Sequence, residues 1–471
     1  MRLGPFFWLV ARSGSGRGWQ PEREFAALHS SSWQQGSSTK AEWRLAVRAE
    51  RLRSLREFDR PEPEAFLGEL LHHHTKKDRV VLYNNKIYVH QAFLETSVKN
   101  RMHLVVLASM RKLGYELPNC VYLHSSSANG RSVGLHNKSL PTTMISKREG
   151  YGSTPGILIP NPFFGGGDVA GVWAKECDKF KEARRLFAAT KKTARVFWRG
   201  SVDNHGPDCE RDGGNYARLS AIALTVSRPD LFDVKAVQVF NPRNESKYPC
   251  EGMPYDGVMR RITAGHFVKR TKKAAATAAG KTTKRKKKQQ KALVYDERWW
   301  RQENYSSFEY VLNLPGKTSG SYSRNLNHLW ALGSVVLLWD SPVVEFYYPA
   351  LRAGETHVAV DYDTAVAEVE ALARDPARRK KLAEAAVRVH EEFLCPRCIA
   401  REMLAVFEDL RTYFRLADVL DDPRRTRDLF TRHLNCSSPH YLEVDATTTF
   451  RDGAFHPDVA KKPADACPFF F

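Results

Sequence analysis

"FEYVLNLPGKTSGSYSRNLNHLWALGSVVLLW", residues 308–339, decides how the chain reads. The first seven residues alternate strand formers with polar positions. A Gly/Ser-rich loop follows, then an apolar stretch at helical spacing over 324–332, then a glycine and the strand "SVVLLW". A strand, a crossover helix and a second strand in so short a span predict a parallel α/β unit. Arg324 falls in the expected first turn of that helix, where the backbone dipole disfavours a cation. An anion between the guanidinium and the helix end resolves the conflict, because both answer to it. The loop offers Gly316, Gly320 and four small hydroxyls, so a phosphate can approach the backbone closely. An ion pair from Arg324 to Glu345 or Asp340 within the fold resolves it equally well, and the segment alone leaves both readings open.

The same alternation extends outward. "RVVLYNNKIYV" reads as a hairpin around Asn84-Asn85, and "LPNCVYLHSSS" and "GILIPNPFF" read as strands. Residues 96–113 and 171–190 read as helices. "ARVFWRGS" is a strand ending in a turn, "NYARLSAIALTVS" a helix with Leu219, Ile222 and Ala223 inward, and "DVKAVQV" a strand. The expected fold is α/β: two Rossmann-like domains facing across a cleft, at 76–190 and 191–390. A loose N-terminus with short helices precedes them (1–75), and C-terminal helices and a tail follow (391–471).

Ligands of open α/β sheets sit at the carboxyl ends of the strands. "RVFWRGS" turns Trp198, Arg199, Gly200 and Ser201 toward that edge, and Arg218 lies on the next helix. Three arginines aimed at one place would suit a diphosphate. Trp198 reads as well as a core residue, Arg199 as half of an ion pair, and Arg218 as a solvated helix-face cation.

The chain has 471 residues, 42% hydrophobic and 11% aromatic, which is enough to bury cores and excludes a disordered class. Its net charge of +20 suggests nucleic acid. However, residues 269–291, "KRTKKAAATAAGKTTKRKKKQQK", hold eleven Lys or Arg and no acid, more than half of that excess. The segment lacks aromatics for base stacking and reads as a solvated insertion. "CPRC" at 395–398 has no second pair nearby, so no zinc site and no metal are expected. Nor is there a run of about 20 apolar residues to span a membrane. The N-terminus has six apolar residues from Pro5 to Val10, short of a signal peptide's apolar core of about 7–15.

"VFWRGS", then "YARLSAI", then "EYVLNLPGKTSGSYSRNLNHLWALGSVVLLWDSPVVEFYYPAL" resembles glycosyltransferase family 90, the fungal capsule-associated-protein and Rumi-type protein O-glucosyltransferase family. The likeness covers about residues 117–415. It implies a GT-B-like fold, with the donor nucleotide mainly on the second domain and the acceptor mainly on the first. It also implies inverting transfer of glucose or xylose from a UDP-sugar to a hydroxyl of a protein or glycan, in the endoplasmic reticulum or Golgi lumen. By the same resemblance Trp198, Arg199, Gly200 and Ser201 lie near donor and acceptor. Arg218, Ser323 and Arg324 hold the diphosphate beside Gly316, and Glu345 helps hold the nucleotide. No cofactor beyond the UDP-sugar is implied.

The chain departs from the family at one point. The family's general base is an aspartate in the loop that here reads "HSSSANG", and its place falls near Ala128. An inverting transfer needs a carboxylate or imidazole within reach of the acceptor hydroxyl. Asp168, in the glycine loop "FFGGGDVAG", and His124, at the end of a strand, are the candidates. The alternatives to an enzyme are a binding-only relative of the same fold and a basic nucleic-acid-binding protein.

Overall fold

Asn84 and Asn85 both adopt left-handed backbone (φ 48° and 57°). Asparagine tolerates that conformation, and two such residues in a row make the tight turn of a hairpin. They fold β1 (Arg79–Tyr83) back on β2 (Lys86–His90) as an antiparallel pair, as the sequence predicts. The computed structural model describes residues 39–125, 140–148, 156–203, 214–240, 293–316 without 297 and 299, 326–434, 440–451 and 454–463, with 258 and 262. The basic segment 269–291, Ser323 and Arg324 lie outside the described residues.

The first sheet continues through β3 (Cys120–Ser125), antiparallel to β1, into two short strands, β4 (Thr142–Met144) and β6 (Ile157–Leu158), parallel to it. Between them runs β5 (Lys147–Arg148). The second sheet holds β7 (Thr193–Asp203), β8 (Phe232–Phe240), β9 (Phe308–Asn313), β10 (Val335–Trp339) and β12 (Val358–Val360). It is parallel throughout, in the order β12-β10-β9-β7-β8. Counted along the chain, that order is 2-1-3-4-5, a doubly wound sheet whose topology reverses between β7 and β9. The chain is therefore a mixed α/β protein with one fully parallel sheet.

Strand alternation gives the second sheet two different faces. Val196, Trp198, Tyr310, Leu312, Val335 and Leu337 point to a core shared with the helix Gly214–Ser227. Phe197, Val311 and Val336 point the other way, into a core that also contains the first sheet's Val80, Tyr122 and Met144. The two sheets thus share one continuous apolar cluster. A two-stranded ribbon adds a second link, pairing β5 with β11 (Val343–Val344) antiparallel.

Three features depart from the sequence reading. The first sheet is mixed rather than parallel. The tail is not only helical: β13 (Tyr441–Arg451) and β14 (Ala454–Pro463) form a long hairpin, and β13 pairs with β2 at the sheet's edge. Its period-2 pattern is present in the sequence, with Leu442, Val444 and Ala446 buried between more exposed Glu443, Asp445 and Thr447. The helix expected over 324–332 is, among the described residues, a single turn, Leu326–Leu329. Trp330, Ala331 and Leu332 leave it to enter the core, and Gly333 reverses the chain with φ 64°. Arg324 itself lies outside the described residues.

The glycine loop before Asp168 is packed, not open. Gly165, Gly166 and Gly167 are buried and all have positive φ. A Cβ on Gly167 would lie 2.4 Å from the Met102 carbonyl oxygen and 2.9 Å from Val105 Cβ, on a backbone with φ 97°. Gly167→Ala is expected to cost about 2–4 kcal/mol through backbone strain and overpacking together. Urea denaturation measures it, and a loss below about 0.5 kcal/mol would mean that the loop gives way freely.

Candidate functional site

The topology reverses between β7 and β9, the point at which doubly wound sheets bind ligands at the carboxyl ends of their strands, and Arg218 lies across it. From the helix Gly214–Ser227 its Nη1 donates to the Ser201 carbonyl at 2.6 Å, beyond the bulge in β7. Its Nε donates to the Pro315 carbonyl at 2.9 Å, just past β9. The guanidinium stands 5.5 Å from the centre of the Trp198 ring. Arg218 is 8% exposed, and burial lowers its pKa to about 10, which still leaves it charged at neutral pH. Among the described residues no carboxylate pairs with it. A buried cation held only by neutral carbonyls carries an unreturned desolvation cost, which a bound anion would offset.

Gly200 makes this arrangement possible. A Cβ there would fall 2.2 Å from Trp198 Cζ2, so only glycine lets the indole fold beneath the bulge. The Ser201 hydroxyl donates to Gln238 Oε1 at 3.3 Å. Gly316 follows Pro315 and is buried. Trp198, Gly200, Ser201, Arg218 and the start of the loop after β9 are therefore brought together.

Arg199 is not part of that group. Alternation along β7 turns it to the face opposite Trp198. There Nη2 meets Asp233 Oδ1 at 3.0 Å and Nε meets Asp296 Oδ2 at 3.1 Å. Nη1 donates to the Asp233 and Trp198 carbonyls, and the plane lies 4.4 Å from the Phe197 ring centre. Its charge is answered inside the fold, as the ion-pair reading has it. Asp233 and Asp296 were not singled out by sequence reasoning. A spacing rule would not find them, because they lie 34 and 97 positions away.

A second polar cluster occupies the boundary between the sheets. Glu345 directly follows β11 and is 1% exposed. Asn161, just past β6, donates Nδ2 to Glu345 Oε2 at 2.7 Å, and the Asn161 Oδ1 accepts from the Phe163 N–H at 3.1 Å. Asn327 Nδ2 lies 3.4 Å from that same oxygen. Glu345 Oε1, Asn327 Oδ1 and the Oδ1 of Asn313, the last residue of β9, are buried without a partner among the described residues. Buried oxygens left unsatisfied call for a ligand or solvent that donates to them. The three asparagines were missed because an isolated asparagine carries no pattern.

Burial raises the Glu345 pKa from 4.5 to about 8, against the opposing pull of the Asn161 hydrogen bond. The folded carboxyl therefore keeps its proton up to about pH 8, while an unfolded one releases it near 4.5. Between those values the folded state binds more protons than the unfolded chain, so this group lowers stability as pH rises. Glu345→Gln is expected to flatten the fall in melting temperature between pH 5 and pH 8 and to raise the value at pH 8. Equal slopes in the two proteins would show that the carboxyl ionises freely in the fold.

The two candidate bases lie elsewhere. Asp168 caps the turn Val169–Trp173: its Oδ1 accepts from the Gly171 N–H at 3.0 Å and faces the Ser109 hydroxyl at 3.3 Å. A Cβ on Gly171 would strike the same carboxylate at 2.6 Å. His124 is fully buried in β3, stacked on His103 with ring centres 4.0 Å apart, and its Nδ1 lies 3.3 Å from Thr143 Oγ1. Burial, then the neighbouring His103 and Lys99, hold its pKa well below the ordinary histidine range. Among the described residues no three His, Cys, Asp or Glu side chains converge on a metal position, and no helix is long and apolar enough to cross a membrane. Cys395 and Cys398 form a disulfide. Comparison of the chain with protein-family models and with curated proteins found no match for it.

Proposed function

We propose that the chain is a nucleotide-sugar-dependent glycosyltransferase of GT-B-like architecture, with the second sheet taking a UDP-sugar and the first sheet's side taking the acceptor. Arg218 carries the reading: it is a buried cation, paired among the described residues only with carbonyls, at the topological reversal of a parallel sheet. Such a position suits the diphosphate of a nucleotide. The unpartnered oxygens of Asn313 and Asn327 suit the hydroxyls of a ribose or sugar, which can donate to them, while a protonated Glu345 can donate in return. The resemblance of "VFWRGS", "YARLSAI" and the stretch from "EYVLNL" to "YYPAL" to family 90 selects UDP-glucose or UDP-xylose and an inverting transfer to a protein or glycan hydroxyl. Ser323 and Arg324 complete the diphosphate site in this reading, without a metal, and the lumen of the endoplasmic reticulum or Golgi is the compartment.

A specific observation also favours the binding-only alternative. The Asp168 carboxylate is engaged as a cap, and His124 is sealed in the first core. The two readings separate by experiment. A thermal-shift panel of nucleotide sugars is expected to give its largest shift with a UDP-sugar, and UDP release in the presence of acceptor tests transfer. Binding without hydrolysis or transfer would leave the binding-only relative. No shift with any nucleotide would remove both. Salt-sensitive RNA binding lost on deleting 269–291 would instead support the nucleic-acid reading.

A further inference from the structure

Cys395 and Cys398 lie at the start of the 18-residue helix Pro396–Tyr413. Cys395 is the N-cap: its Sγ accepts the Cys398 N–H at 3.1 Å, and Pro396 opens the helix. No acid lies in the first turn, and Arg397 is exposed there. The two sulfurs are unequal, because Cys395 is half-buried while Cys398 is 5% exposed. Each also has a partner that would persist after the bridge opens. A Cys395 thiolate keeps the Cys398 N–H, and a Cys398 thiol would donate to the Glu391 carbonyl oxygen, 3.1 Å from its Sγ. Both redox states therefore fit the same helix start. The free cysteines among the described residues offer no rival, since burial pushes Cys120 up to about 12 and Cys177 higher still.

We propose that Cys395–Cys398 is a thiol–disulfide exchange site that oxidises small or peptide thiols, with Cys395 as the attacked sulfur. An incoming thiolate bonds to Cys395 Sγ, the S–S bond breaks, and its electron pair leaves on Cys398 Sγ, which takes a proton from water. A second thiolate attacks the incoming sulfur of this mixed disulfide and releases Cys395 as a thiolate. Two thiols leave as one disulfide, and the protein gains two electrons. The helix N-terminus and Arg397 favour the Cys395 thiolate, which makes it both the better leaving group and the reactive form.

The full-length chain tests this with glutathione. In millimolar reduced glutathione, without denaturant, the bridge is expected to open, so that iodoacetamide labels Cys395 while the melting curve stays cooperative. In oxidised glutathione, Cys398→Ser is expected to form a mixed disulfide at Cys395 about tenfold or more faster than Cys395→Ser forms one at Cys398, read by mass spectrometry. A bridge that opens only after unfolding overturns the proposal, as do equal capture rates in the two variants. The wild-type measurement decides the matter if either serine variant fails to fold.

Discussion

Arg199→Met is expected to destabilise the protein by about 3–5 kcal/mol, the cost of removing one partner from a buried ion pair. Methionine matches the length of the arginine stem and fills the space beside Phe197, so the loss isolates charge rather than volume. It leaves Asp233 and Asp296 facing one another's side of β7 without the guanidinium that met both. Lys235 remains 3.1 Å from Asp233, whereas Asp296 keeps the Arg298 N–H at 3.1 Å, the Trp300 indole N–H at 3.0 Å and, as its one cation among the described residues, the more distant Arg298 guanidinium at 3.6 Å. Urea denaturation followed by fluorescence measures the change. A loss under about 1 kcal/mol would mean that both carboxylates reach water once the arginine is gone.

Arg218→Lys is expected to act in the opposite register, on ligand rather than on fold. Lysine keeps the charge but cannot span the Ser201 and Pro315 carbonyls while presenting a flat, two-pronged donor to phosphate. Affinity for UDP should fall at least about tenfold, within the range of about 1.5–3 kcal/mol for a hydrogen bond to a charged group. The loss in stability should be smaller than that of Arg199→Met, because no carboxylate is orphaned. Calorimetric titration with UDP and a denaturant curve on the same variant give both numbers. Unchanged affinity beside a large loss of stability would make Arg218 a brace between β7 and β9 and would remove the central support for a diphosphate there.

The contrast between the two arginines marks where sequence reasoning stops. "RVFWRGS" tells the reader that a strand ends at a bend, and its alternation even separates Trp198 from Arg199. It does not tell which face holds acid, because Asp233 and Asp296 arrive from remote segments. The parallel sheet was legible since each of its strands is a self-contained apolar run between loop signals. The hairpin Tyr441–Pro463 was equally patterned but followed a helical stretch, and its pairing partner β2 lies some 350 positions upstream. The glycines at 165–167 gave no sign of their packing, because composition cannot distinguish freedom from close packing. Glu345 drew attention through its motif, yet Asn161, which bonds it, and Asn327, which bonds Asn161, come together with it only by tertiary folding.

The pairing of β13 with β2 sets a timetable for biosynthesis. Leu442 sits opposite Val89, so one edge of the first sheet is completed by residues made some 350 positions later. At about 5–20 residues per second, the ribosome takes roughly 20–70 s to deliver them. During that interval β2 offers an unpaired backbone edge to any passing strand. A nascent chain stalled before residue 441 is thus a client for chaperones, and a premature stop there leaves a sticky product whose fault lies at its beginning.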